Sequence, residues 1–202
     1  MKSDNIIHKI NRTDFAKLFK SKGYAFFNKG EYNLNIIGIR KTGNLITNGF
    51  DDYIVVVFKN KRGWQKLYYP ITTEPGNYYM YTMPNKKGTA ILVPGQYRST
   101  YKIGKHQGKY KALVQTKPVK VYRDNNKDDI YDMEPETIET GVFGINIHKA
   151  GNASKQVDKW SAGCQVFANG DNFKAFMQLC EKAAKIYGNS FTYTLIDEKD
   201  LD

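Results

Sequence analysis

Cysteine is scarce. Cys164 and Cys180 are the only two, and no CxxC pair occurs, which excludes a disulfide scaffold, a thioredoxin-type redox motif and a cysteine-rich zinc site. Long hydrophobic runs are also missing. The longest, Tyr53 to Phe58, falls far short of the ~18 residues that span a bilayer, so no membrane span is expected. The first twenty residues carry charges throughout and lack the apolar stretch of a secretory signal. A product made in the cytoplasm is therefore expected. With no internal repeat and no low-complexity linker, 202 residues predict one domain, 1–202. No interleaving of basic and aromatic residues matches a nucleic-acid module.

What is present suffices for a core: 41% hydrophobic and 14% aromatic residues, beyond the range of a disordered chain. Charge is uneven. The net is +11, but residues 1–123 carry +17 and residues 124–202 carry −6. The basic 1–123 region is a candidate surface for an anionic polymer, against the alternative of a merely soluble lysine-rich face.

Secondary structure reads as mainly β. An N-terminal helical segment occupies 1–23, with Thr13 as N-cap, Phe15, Leu18 and Phe19 on one face and Gly23 as stop. Strands rich in Val, Ile, Tyr and Thr follow at Asn35–Arg40, Tyr53–Lys59, Gln65–Ile71, Tyr78–Tyr81, Thr89–Val93, Tyr97–Ile103, Lys111–Gln115 and Val119–Tyr122, most of them punctuated by Gly, Pro or Asn. Residues 124–140 read as an acidic surface loop. Asp124, Asn126 and Asp128 echo the start of a calcium loop, but Asp129 and Pro135 replace its glycine and glutamate. Val142–His148 reads as a strand. Asp171 then caps a helix with Phe173, Phe176, Met177, Cys180, Ala184 and Tyr187 at helical spacing, which makes Cys180 a packing thiol. Phe191–Ile196 is the last strand. The expected class is α+β, mainly β: an antiparallel sheet, sandwich or barrel with a short N-terminal helix and one C-terminal helix.

Chemistry concentrates in 142–167, within Gly144–Phe167 (GINIHKAGNASKQVDKWSAGCQVF). Cys164, flanked by small residues on a turn, is a candidate nucleophile, and nearby backbone amides can face a developing oxyanion. A nucleophilic thiol needs a base, and His148 lies sixteen residues upstream. Read singly, a histidine on an apolar strand such as His148 is more often a hydrogen-bonded core residue; its pairing with the Cys164 motif is what favours catalysis. His106, in Gly104-Lys105-His106-Gln107-Gly108, is a turn residue with a candidate supporting role. A zinc site of His106, His148 and Cys164 has chemically legitimate ligands, but their spacing fits no zinc signature. No metal or cofactor is expected. Trp160 either walls the pocket or anchors its loop.

A histidine on a strand followed by Ser161-Ala162-Gly163-Cys164 resembles the catalytic signature of the L,D-transpeptidases, the YkuD-like domains. That resemblance implies a β-rich fold and acyl transfer or hydrolysis on peptidoglycan stem peptides. It makes Cys164 the nucleophile, His148 the general base, Gly163 and Cys164 the oxyanion amides, and Ser161 a turn-shaping serine that can bond near the histidine. This chain departs from the pattern in three places. Lys149 and Ala150 precede Gly151, where the family has glycine directly after the histidine. Gln165 and Val166 stand where the family carries arginine. Pro94-Gly95-Gln96-Tyr97 matches the family's upstream strand one residue short. The stretches TTEPG, GTAILVPGQY, GKHQGKYKALVQ, FGINIHKAG and WSAGCQVF are further similar to uncharacterised proteins of Bacteroides-group phages and their hosts. This implies release at lysis or incorporation into a phage particle, with other virion proteins as partners. The alternative function is a virion structural protein that retains the fold with little or no catalysis.

Overall fold

The computed structural model describes residues 6–43 and 45–201. Eight strands close a barrel: β1 (Asn35–Arg40), β2 (Asp52–Asn60), β3 (Gly63–Thr72), β5 (Gly95–His106), β6 (Tyr110–Gln115), β9 (Ile147–Lys149), β10 (Gln165–Phe167) and β11 (Phe191–Asp197). Around the barrel the order is β1-β11-β5-β6-β9-β10-β3-β2. Two neighbouring pairs, β1/β11 and β9/β10, are parallel; the rest are antiparallel. A separate sheet joins β4 (Thr89–Leu92), β7 (Val119–Asp124) and β8 (Glu139–Gly141) in the order β4-β7-β8. The mainly β expectation holds, and among its alternatives the barrel is the one formed.

Strand β1 is buried along its whole length, which is why Ile36–Ile39 reads without polar alternation between Asn35 and Arg40. Ile36 joins Ile54, Val56, Ile71, Ile147, Phe167 and Leu195 in the main core. The 18-residue helix α4 (Gly170–Tyr187) contributes Phe173, Phe176, Met177, Cys180 and Ala183 to that core, so Cys180 is a packing thiol. The alternate β1 residues, Ile37 and Ile39, face the other way. With Val55, Val57 and Ile196 they meet Ile10, Phe15 and Phe19 of α1 (Ile6–Arg12) and α2 (Phe15–Ser21).

Local contacts redraw several expected elements. The N-terminal segment holds two helices, and the N-cap of the second is Asp14, whose carboxylate accepts from Ala16 N and Lys17 N. Tyr78–Tyr81 lies in a helix, α3 (Asn77–Tyr81), not a strand. The Asn48 side chain takes the Asn77 amide at 3.0 Å, and Met80 turns into a small core with Ile91 and Tyr131. The Val142–His148 strand is shortened to β9. Gly144 adopts φ +75°, and the Phe143 and Ile145 amides both donate to the Gln115 side-chain carbonyl instead of a strand partner. Residues 124–140 are not merely a surface loop, because Asp124 ends β7, Tyr131 is buried and Glu139 opens β8. Helix α4 is capped by Asn169, not Asp171.

At one end of the barrel the core turns polar. Arg40, 2% exposed, donates to Thr73 Oγ1 (3.0 Å) and to Thr73 O (3.1 Å). Asp52 receives the Thr73 amide and hydroxyl at 2.7 and 2.8 Å. Gln165 donates to Thr73 O at 3.4 Å and accepts from Tyr193 Oη at 2.7 Å. Tyr193 fits only because position 38 has no side chain: a Cβ there would lie 1.8 Å from Tyr193 Oη. We expect Gly38→Ala to destabilise the fold by about 2–3 kcal/mol through overpacking. The penalty should be smaller in a Tyr193→Phe background, which removes the clashing oxygen. Urea unfolding midpoints of the two single variants and the double variant check this.

Candidate active site

The parallel pairing of β9 with β10 sets Val166 opposite His148 and Gln165 opposite Ile147. Cys164 lies two residues before Val166, just ahead of β10. Neighbouring strands at this offset put the Cys164 and His148 Cα atoms roughly 8 Å apart. The two residues are thus on adjacent chain segments, but their side chains are not bonded. The half-buried Cys164 donates its S–H to Gly144 O at 3.4 Å.

His148 is almost fully buried. Its Nδ1 lies 2.9 Å from the Lys149 carbonyl oxygen, which can only accept, so Nδ1 carries the proton and Nε2 keeps the lone pair. Tyr110 Oη donates to the same carbonyl at 3.2 Å and lies 3.3 Å from Nδ1. His106 closes β5 and stacks on His148 with ring centroids 4.0 Å apart and planes 18° apart. Its Nδ1 accepts a hydrogen bond from Asn146 Nδ2 at 3.1 Å. His106 is thus a packed neighbour of His148, and the stacked rings do not converge on a common point. Among the described residues no group of three or more His, Cys, Asp or Glu is arranged to hold a metal ion.

The turn before Cys164 is rigid. Ser161, fully buried, donates its hydroxyl to Cys164 O at 2.8 Å and accepts the Gly163 amide at 3.2 Å. Two expected roles change accordingly. Ser161 bonds within its own turn and not near the histidine. The Gly163 amide is engaged by Ser161, which leaves the Cys164 amide as the member of that pair with no hydrogen bond among the described residues. Gly163 adopts φ +118°, and a Cβ there would meet Ala90 O at 2.3 Å, so glycine is required on both counts. On the histidine side, the Gly151 amide donates to Ser154 Oγ at 3.0 Å, and a Cβ at Gly151 would lie 3.6 Å from the Trp160 ring. Trp160 therefore packs on the turn that follows His148, with 46% of its surface open.

Electrostatics favour neutral groups at rest. Burial pushes the Cys164 thiol up to about 11, while the Asn146 backbone amide facing the sulfur acts in the opposite direction. Burial, aided by neighbouring His106, lowers His148 to about 4 against the pull of the Lys149 carbonyl. Tyr110 and Asn146 were not among the residues singled out from sequence. Tyr110 lies 38 positions from His148 and reaches it only through the β5–β6–β9 pairing, which no local pattern announces. Asn146 sits two residues before His148, where alternation along the strand is its single sequence signal.

Compared with protein-family models, curated proteins and solved structures, the chain matches none of them.

Two measurements follow from the protonation states. In a Cys180→Ala background, alkylation of Cys164 by iodoacetamide at pH 7 should run about 100-fold slower than for a free thiol and accelerate up to about pH 11. Between the ordinary histidine value of 6.5 and the folded value of about 4, the unfolded chain binds a proton that His148 in the fold refuses. Stability therefore falls as pH drops through that window, by on the order of 3 kcal/mol for this group. His148→Gln should flatten the difference, as read from urea midpoints between pH 7 and pH 4.

Proposed function

We propose that the protein is a cysteine acyl-transfer enzyme of the L,D-transpeptidase type, acting on peptidoglycan stem peptides. The observation that carries this reading is the His148 tautomer: its Nδ1–H is held on the Lys149 carbonyl, leaving Nε2 basic on the strand beside Cys164. This arrangement supports general-base catalysis by a neutral imidazole. As the thiol turns from Gly144 O to Nε2, His148 takes the proton and the sulfur bonds to the substrate carbonyl carbon. The oxyanion receives the unbonded Cys164 amide. Its collapse breaks the scissile C–N bond, His148 returns the proton to the leaving amine, and a thioester remains. An amine or water then resolves the thioester, giving transpeptidation or hydrolysis.

Of the two residues that stand where the family carries arginine, Val166 is fully buried and Gln165, also fully buried, donates to Gly163 O (3.3 Å) and Thr73 O (3.4 Å). Gln165 braces the Cys164 turn from beneath and does not face a substrate carboxylate. The raised thiol, bonded to Gly144 O, favours a second reading: a phage particle component that keeps the fold without efficient turnover. In either reading the basic 1–123 region is the candidate contact for an anionic polymer.

Incubation with a tetrapeptide stem followed by intact-mass measurement separates the two. The first reading expects a thioester adduct on wild type and on Cys180→Ala, none on Cys164→Ala, and formation slowed about 10²–10⁴-fold in His148→Ala. No adduct on wild type at any pH from 5 to 10 leaves the second reading.

A further inference from the structure

An open cleft of about 610 Å³ has Asn77, Tyr78, Tyr81, Asp158, Lys159 and Trp160 among its lining residues. Three aromatic side chains that are each 39–46% exposed meet here. Such a cluster on a soluble surface marks a contact site more often than chance exposure.

Its scaffold is rigid. Asn48 grips both walls, accepting the Asn77 amide at 3.0 Å and the Asp158 amide at 2.8 Å on its Oδ1 while donating Nδ2 to Asp158 Oδ1 at 2.7 Å. Asp158 is held at φ +40°, and its backbone is so close to Gly76 that a Cβ there would lie 2.2 Å from Asp158 O. The Gly76 amide donates to Ser161 O at 2.9 Å. Through Trp160 and Ser161 the cleft is thus continuous with the turn that presents Cys164.

The chemistry of the lining narrows the occupant. Lys159 and Asp158 sit side by side, so the cleft has no net charge to select an anion or a cation, and Lys159 Nζ already lies 4.3 Å from the Tyr78 ring centroid. Tyr81 donates its hydroxyl to Asp129. Asn77 Oδ1 is buried with no hydrogen-bond partner among the described residues, an acceptor that rotation of the side chain can offer to a ligand N–H or O–H. Aromatic faces carry negative quadrupole charge and attract polarised C–H groups. A neutral ligand with apolar C–H faces and a polar rim fits this combination, and that description is a pyranose ring bearing hydroxyl and acetamido groups. Asp158 is already held by Asn48 and Lys159 by the Tyr78 ring, so the lining asks a ligand for aromatic contact and for one donor to Asn77 Oδ1.

We infer that this cleft is a saccharide subsite that binds N-acetylhexosamine units of a glycan on Tyr78, Tyr81 and Trp160. The inference rests on the peptidoglycan reading for its biological ligand. A glycan seated here brings the peptide it carries to the adjacent Cys164 turn, so the substrate class becomes a glycan-linked stem and not a free peptide.

Trp64 and Trp160 are the only tryptophans, so Trp64→Phe leaves Trp160 as sole reporter. The full chain carrying Trp64→Phe and Cys164→Ala is titrated with the β-1,4-linked N-acetylglucosamine tetramer and, separately, with a free stem tetrapeptide. We expect a saturable change in Trp160 emission with the tetramer, its affinity lowered about tenfold by Tyr78→Ala with an unchanged far-ultraviolet dichroism spectrum. No response to the tetramer, a response to the peptide alone, or a tetramer response indifferent to Tyr78→Ala overturns the inference. Because Cys164 is absent from the titrated protein, failure of the acyl-transfer reading appears only in the mass experiment, and failure of the saccharide subsite only here.

Discussion

Parallel pairing of two three-residue strands is the constraint on which the candidate site depends. Parallel neighbours cannot be joined by a tight hairpin; the chain must leave one strand, cross over and re-enter in the same direction, which takes a dozen residues or more. The sixteen-residue spacing from His148 to Cys164 is that crossover. It turns at Gly151, packs Trp160 back on the same turn and returns through the Ser161 bonds. Were β9 and β10 to pair one residue out of register, His148 would move to the opposite side of the sheet from Val166, and the stacking with His106 and the Tyr110 contact would be lost.

Strands of three residues have few ladder bonds of their own, so side chains supply the anchoring. Gln165 is central. It ties the Cys164 turn to Thr73, which is itself bound by Arg40 and Asp52, and it receives the Tyr193 hydroxyl from the opposite side of the barrel. Arg40 also forms a buried ion pair with Glu74 at 3.4 Å; such a pair adds little net stability against an apolar substitute, but loss of one member leaves the other unpaired and is costly. Arg40 thereby enforces one position for β3, and through Gln165 one position for β10. On the other flank Gln115 plays the matching part, since its side-chain carbonyl captures the Phe143 and Ile145 amides and its backbone amide donates to Asn146 Oδ1. Two glutamines therefore hold the two segments that converge on Cys164.

These braces explain which parts were readable in the sequence. Strands β1, β2 and β11 announce themselves as runs of buried β-formers, and helix α4 by an apolar face at helical spacing. The Ser161–Cys164 turn is legible because small residues around a cysteine are a local pattern. The strand expected at 142–148 fails because amides that should pair with a neighbour are taken by a side chain from position 115, which no window around 142 contains. The helix at Asn77–Tyr81 is hidden for the same reason, its first amide being held by Asn48. Tyr110, Asn146 and Gln165 carry no motif, and their roles exist only once strand register is known.

The protonation states bear on how such a site can work. A thiol near 11 and an imidazole near 4 are both neutral throughout the physiological range, so no thiolate–imidazolium pair stands ready in the resting protein. Burial is the main cause of both displacements, and it disfavours charge on either partner. Under the acyl-transfer reading, charge separation must then coincide with bond formation: sulfur gives up its proton as it gains the carbonyl carbon, and the negative charge passes to an oxygen that the Cys164 amide meets. The same burial that silences the free thiol strengthens that amide's hold on the oxyanion, because a dipole acts more strongly where water is excluded. A resting thiol bonded to Gly144 O is accordingly compatible with turnover only if substrate displaces it toward His148. Under that reading the buried surroundings penalise a free thiolate, while the oriented Cys164 amide, acting where water is excluded, would hold the charge of the transition state.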